Sequence, residues 1–181
     1  GTNVKLVDIV GTNAGLVGLY TVGGGKLTNT ARITGDKGYG IITNGTEIIN
    51  NGTVTLTSPL TSSKPSVGIL TQSGDDITNT GIISVGDNSV GIYGKRVLNK
   101  GTITVGNDGT GIYSEGGNVT LDTTSKIITG SNKAVGVFTK GAGQTITNNA
   151  TNINIGDSSY GFVNKQTAGG NTFISNTPSV T

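Results

Sequence analysis

Apolar and polar residues alternate along most of the chain in runs of four or five, as in ITNTGIISVG (77–86) and GTITVG (101–106). Period-two alternation predicts short β-strands with one buried face. The runs recur as a set. A short motif of any residue, glycine, aliphatic and large apolar returns as VGLY, YGII, VGIL, VGIY, TGIY, VGVF and YGFV, centred on Gly18, Gly40, Gly68, Gly91, Gly111, Gly136 and Gly161. The spacings are 22, 28, 23, 20, 25 and 25 residues, a length that suits one coil of a β-solenoid with about three strands and is too short for a propeller blade. The pattern therefore predicts an all-β fold, a parallel β-helix expected as right-handed, of about seven to eight coils of roughly 20–28 residues. Residues 1–181 read as one solenoid segment, with 165–181 as a partial coil or a change of register.

Within each coil the column after the glycine holds Leu19, Ile41, Ile69, Ile92, Ile112, Val137 and Phe162 and is expected to form the core. The next column holds Tyr20, Ile42, Leu70, Tyr93, Tyr113, Phe138 and Val163, which alternation places on the opposite face beside the glycines unless the chain bends. Two readings of its aromatic members, Tyr20, Tyr93, Tyr113 and Phe138, stay open. They pack at a corner or over the glycine strip, or they form a contact stripe for a partner.

A second block pairs an apolar dipeptide with asparagine before an alternating run, as in LTNTARITG, IINNGTVTL and VLNKGTITVG. Its asparagines, Asn29, Asn50, Asn79, Asn99 and Asn148, are expected to stack as a structural amide ladder, with Asp122 and Asn176 at the equivalent places in two divergent coils. A third block, seen in TGDKGYG, VGDNSVG, VGNDGTG and IGDSSYG, reads as a turn that uses left-handed backbone angles. Coil-to-coil insertions should emerge as loops, the longest being TSPLTSSKPS (57–66), with NKQTAGGN (164–171) after the last clear coil.

Composition narrows the chemistry. The chain is 32% hydrophobic and 12% charged, with a net charge of +2, 32 glycines, and no Cys, His, Met or Trp. Too little apolar mass is present for an ordinary two-layer core, while the recurrent Val, Ile and Thr argue against disorder. Disulfides, thiolate metal sites and imidazole bases are excluded. No catalytic residue, metal site or cofactor is assigned, and the chain is expected not to be an enzyme. The adjacent Asp75 and Asp76 resemble the double aspartate of polygalacturonases, but the histidine-bearing and Arg-x-Lys motifs of that family are absent. Thr-x-Thr pairs at Thr53 and Thr55, Thr102 and Thr104, and Thr145 and Thr147 suggest an ice-binding ladder, broken by Ile82 with Ser84 and by Asn152 with Asn154. Lys95, Arg96 and Lys100 form a basic cluster too small for nucleic-acid binding. No apolar run is long enough to insert into a membrane, and the opening residues lack the pattern of an export signal, so the chain reads as an interior segment.

The phrase NxGTIxVGxxxxGIY, as in NKGTITVGNDGTGIY (99–113), resembles the passenger repeats of large type V autotransporter outer-membrane adhesins of the fusobacterial type, over nearly the whole chain. That resemblance implies an exported, extracellular segment on a bacterial cell surface. It would act as a stalk and in attachment to a host-cell or bacterial surface protein or glycan. A polysaccharide-binding or polysaccharide-degrading β-helix is the alternative. Exposed strand edges at the terminal coils further predict end-to-end or side-by-side self-association.

Overall fold

A computed structural model describes residues 8–11 and 15–176. The regular alternation becomes 21 short strands among these residues, three to a coil. The first two coils contain β1 (Ile9–Val10), β2 (Leu16–Val22), β3 (Lys26–Asn29), β4 (Arg32–Gly35), β5 (Gly38–Asn44) and β6 (Glu47–Asn50). Next come β7 (Thr53–Leu56), β8 (Val67–Thr71), β9 (Asp76–Asn79), β10 (Ile82–Val85), β11 (Val90–Gly94) and β12 (Arg96–Asn99). The fifth coil has β13 (Thr102–Val105), β14 (Thr110–Glu115) and β15 (Val119–Leu121), and the sixth has β16 (Lys126–Thr129), β17 (Val135–Gly141) and β18 (Thr145–Asn148). The seventh ends with β19 (Asn152–Asn154), β20 (Tyr160–Gln166) and β21 (Thr172–Ser175). The predicted partial coil at 165–181 thus carries β21, paired in parallel with β18, while 177–181 lie outside the described residues.

Each strand pairs in parallel with the strand three along the chain, which gives three seven-stranded sheets and a β-solenoid of about seven turns. Sheet A runs from β1 to β19, sheet B from β2 to β20 and sheet C from β3 to β21. The stretch from the asparagine block to the turn is two strands, one in sheet C and one in sheet A, with the asparagine at the corner between them.

The core is three aliphatic columns meeting along the axis. Ile33, Val54, Ile83, Ile103 and Ile127 come from sheet A, and Ile41, Ile69, Ile92, Ile112 and Val137 from sheet B, as the sequence predicts. Ile48, Ile77, Val97, Val119 and Ile146 come from sheet C, and all fifteen are 0–3% exposed. β-Branched residues dominate because one column position must fill the same narrow slot in every coil.

The recurrent glycine does not form the exposed strip that strict alternation predicts. Gly91 and Ile92 are both buried, and the same holds at Gly40, Gly68, Gly111 and Gly136, because the strand steps inward there. A β-carbon on any of the motif glycines Gly18, Gly40, Gly68, Gly91, Gly111 and Gly136 would lie 2.5–2.6 Å from the carbonyl oxygen of the motif glycine one coil on, and most would also strike a core side chain of sheet A. Only glycine fits such an approach.

The amide ladder is present. Asn29 donates to Asn50 at 2.8 Å, Asn50 to Asn79 at 2.8 Å and Asn79 to Asn99 at 2.7 Å. In the next coil the position in register is Leu121, not Asp122, and Asn99 donates to Ser125 Oγ at 2.5 Å instead. A carboxylate has no N–H to pass on and resists burial, so Asp122 sits outside, bonded to Thr123 and 3.9 Å from Lys100. Asn148 regains the column and accepts the Ala150 N–H at 3.1 Å. Ser175, not Asn176, stands in register above it, and Asn176 bonds to Asn149 at 2.8 Å.

At the A-to-B corner the predicted turns carry left-handed Asn88, Asp108, Asn132, Lys133 and Ser158. Here a second ladder, unforeseen from sequence, runs from side chain to backbone: Asp87 accepts the Asn107 N–H at 2.8 Å, and Asn107 accepts that of Ser131 at 2.8 Å. The TSPLTSSKPS insertion is the same corner in the third coil, tied down where the buried Ser66 hydroxyl donates to the Ser58 carbonyl at 2.7 Å.

Candidate functional site

The outer face of sheet B carries the predicted stripe in one register: Tyr20, Ile42, Leu70, Tyr93, Tyr113, Phe138 and Val163. Since the glycines face inward, its neighbours on this face are residues such as Val90 and Thr110, and the aromatics do not cover a glycine strip. Strand spacing stacks three of them. Tyr93 and Tyr113 lie 4.8 Å apart at 5°, and Tyr113 and Phe138 5.0 Å apart at 16°. Tyr20 is 60% exposed and separated from that stack by Ile42 and Leu70, so three of the four stripe residues come together and one does not. Stacking hides the ring faces against each other and presents ring edges outward.

Charges flank the ladder. Glu115 and Lys140 share a register position just beyond it, and Lys140 Nζ donates to Glu115 Oε1 at 2.8 Å while the Tyr93 hydroxyl donates to Glu115 Oε2 at 3.0 Å. The Lys140 and Tyr93 bonds hold the Glu115 carboxyl below its ordinary value, and Glu115 in turn raises Lys140. Burial, then donation to Glu115, pushes the Tyr93 phenol up.

Beside Tyr93 the wall of the solenoid opens. Along the B-to-C corner the step between inward positions is five residues from Ser114 to Val119, six from Thr71 to Ile77 and seven from Thr139 to Ile146. From Gly94 to Val97 it is three. The corners below and above project past this short one and leave a cleft of about 460 Å³ lined by Gln72, Gly74, Tyr93, Gly94, Lys95 and Glu115 among others. The Lys95 stem crosses the corner below, where a β-carbon on Gly74 would lie 2.5 Å from its Cδ. Sequence reasoning missed the cleft, although the shortened corner is visible as the 20-residue spacing after Gly91.

The basic cluster dissolves into separate roles. Arg96 pairs with Asp76 and Lys100 with Asp122, while Lys95 makes no ion pair among the described residues. Asp75 and Asp76 likewise part: Asp75 accepts from Ser73 and from the Gly45 N–H at 2.9 Å, one coil below. Burial works against ionisation of Asp75, but those hydrogen bonds prevail and lower it. The Thr-x-Thr pairs divide between faces, with Thr53, Thr55, Thr102 and Thr104 on sheet A and Thr145 and Thr147 on sheet C. Among the described residues no cluster of three acidic groups could hold a metal ion, and no helix is long and apolar enough to cross a membrane. No family model, curated protein or solved structure matches the chain.

Proposed function

We propose that this chain is a non-catalytic structural and adhesive segment of a surface-displayed, autotransporter-type adhesin, exported to the outside of a bacterial cell. The observation that carries the reading is the unbroken parallel register of three sheets through seven turns, with one outward column that contains a stacked aromatic ladder. A rod that grows by roughly 4.8 Å per coil supplies reach, and an ordered half-exposed apolar edge supplies a contact strip. The resemblance of the NxGTIxVGxxxxGIY phrase to adhesin passenger repeats supports the same reading, with a protein or glycan of a host-cell or bacterial surface as partner. The carboxylate pair that would suggest polysaccharide cleavage is engaged in a loop bond and an ion pair, which favours binding over hydrolysis.

The test is attachment of the purified segment to host-cell and bacterial surfaces, alongside a Tyr93→Ser, Tyr113→Ser variant shown by circular dichroism to remain β-structure. Attachment by the parent and its loss in the variant is the expected result. A folded parent that attaches to neither surface overturns the adhesive half of the proposal and leaves a stalk.

A further inference from the structure

We infer that the cleft at the short Gly94–Lys95 corner binds a carboxylate-bearing sugar unit of a surface glycan. This narrows the adhesive reading to one partner class and rests on that reading for its biological setting alone.

Three features converge on this ligand. The cleft, at about 460 Å³, falls within the range of small-ligand sites and admits one or two pyranose rings. Its charges are unequal: two cations face one carboxylate, Lys140 in contact with Glu115 at 2.8 Å and Lys95 acting on the same carboxylate through its charge alone, with no ion pair of its own. Of the nearby acids, Asp76 is held by Arg96, and Asp75 bonds toward the coil below, away from the opening. One positive charge is therefore left for a ligand carboxylate. The Lys95 stem lies across Gly74, whose left-handed backbone angle of 80° and missing β-carbon let it pass close to that corner.

The remaining groups suit the hydroxyls of the same ring. Glu115, held from two sides by Tyr93 and Lys140, keeps lone pairs free to accept, and the Gln72 amide can both donate and accept. Tyr93 closes one wall with the side of its ring. A simple anion would satisfy Lys95 and leave these groups unused. A neutral sugar would leave the lysine unanswered.

The experiment is a titration of the isotope-labelled segment, followed by amide resonances, with methyl glucuronoside, methyl glucoside and acetate in parallel. The glucuronoside should give saturable shifts at Gly74, Gly94, Lys95 and Gly116, with the glucoside about ten-fold weaker, the size of one charge-assisted contact. Lys95→Gln should bring the glucuronoside down to the glucoside's level, and Gln72→Trp, at an exposed position that overhangs the cleft, should abolish both. Both variants must retain the parent's dispersed spectrum. No saturable shift, equal response to the two sugars, an acetate response as strong as the glucuronoside's, or indifference to Lys95→Gln each overturns the proposal. Cell attachment that survives Gln72→Trp while the titration is silent removes the cleft and leaves adhesion standing. Saturable uronoside binding without attachment supports the cleft and removes adhesion.

Discussion

An alanine methyl at Gly91 would lie 2.5 Å from the Gly111 carbonyl oxygen and 2.9 Å from Ile103 Cγ2, both packed inside the solenoid. Neither neighbour can withdraw without shifting a strand, so Gly91→Ala should cost about 1–3 kcal/mol through overpacking. Gly24→Ala, with nothing within 4 Å and no left-handed angle to satisfy, should stay within about 0.5 kcal/mol. Urea unfolding of the two variants checks this, and equal midpoints would refute it. The glycine motif is plain in the sequence, but its orientation is not. Alternation assigns one face to each residue in turn, and the inward step at the glycine puts two consecutive residues on the same side. The core column after it survives that error because Ile69, Ile92 and Ile112 are apolar enough to announce their own burial. Asp122 departs from its expected place for a related reason: sequence similarity treats Asp as a near-equivalent of Asn, whereas a ladder that runs on amide donors does not.

Strands and corners carry the next level of organisation. The Asn79 side chain is fully buried, accepting from Asn50 and donating to Asn99 and to the Gly81 carbonyl. Asn79→Ala strands partners on both sides, with a cost of about 1–3 kcal/mol for each buried group left unpaired. Thr78→Ala, on the outer side of the same strand, should be near neutral. Thermal denaturation of the pair should show a clearly lower midpoint for the asparagine variant, and matched midpoints would mean the ladder adds nothing. Strand positions were legible because each coil repeats the same alternation. Corner geometry was less so. The cleft depends on a corner a few residues shorter than its neighbours, and that difference has meaning only when the strands on either side are known to be in register.

At the scale of the whole molecule, four carboxyls among the described residues are set by their hydrogen bonds. Asp36 is lowered by Ser58 and Thr57, Glu115 by Lys140 and Tyr93, and Asp122 by Thr123; Asp75 is lowered against the opposing effect of its burial. A carboxyl depressed in the folded state contributes stability above its unfolded value and loses it as pH falls through the folded one. The melting midpoint should therefore hold from pH 7 to about pH 5 and decline below about pH 4. A melting profile flat down to pH 2 would contradict this.

The pairing of each strand with the one three along sets how such a chain can acquire its structure. Among the described residues, strand partners lie 20 to 30 positions apart, as in Ile82 with Thr102 and Asn50 with Asn79, and no strand ladder joins distant coils. Loop closure therefore costs about the same for every turn, whatever the length of the rod. On this topology one coil is expected to nucleate and its neighbours to add to a finished edge. Such a chain can take shape progressively, each finished edge serving as the template for the coil beside it.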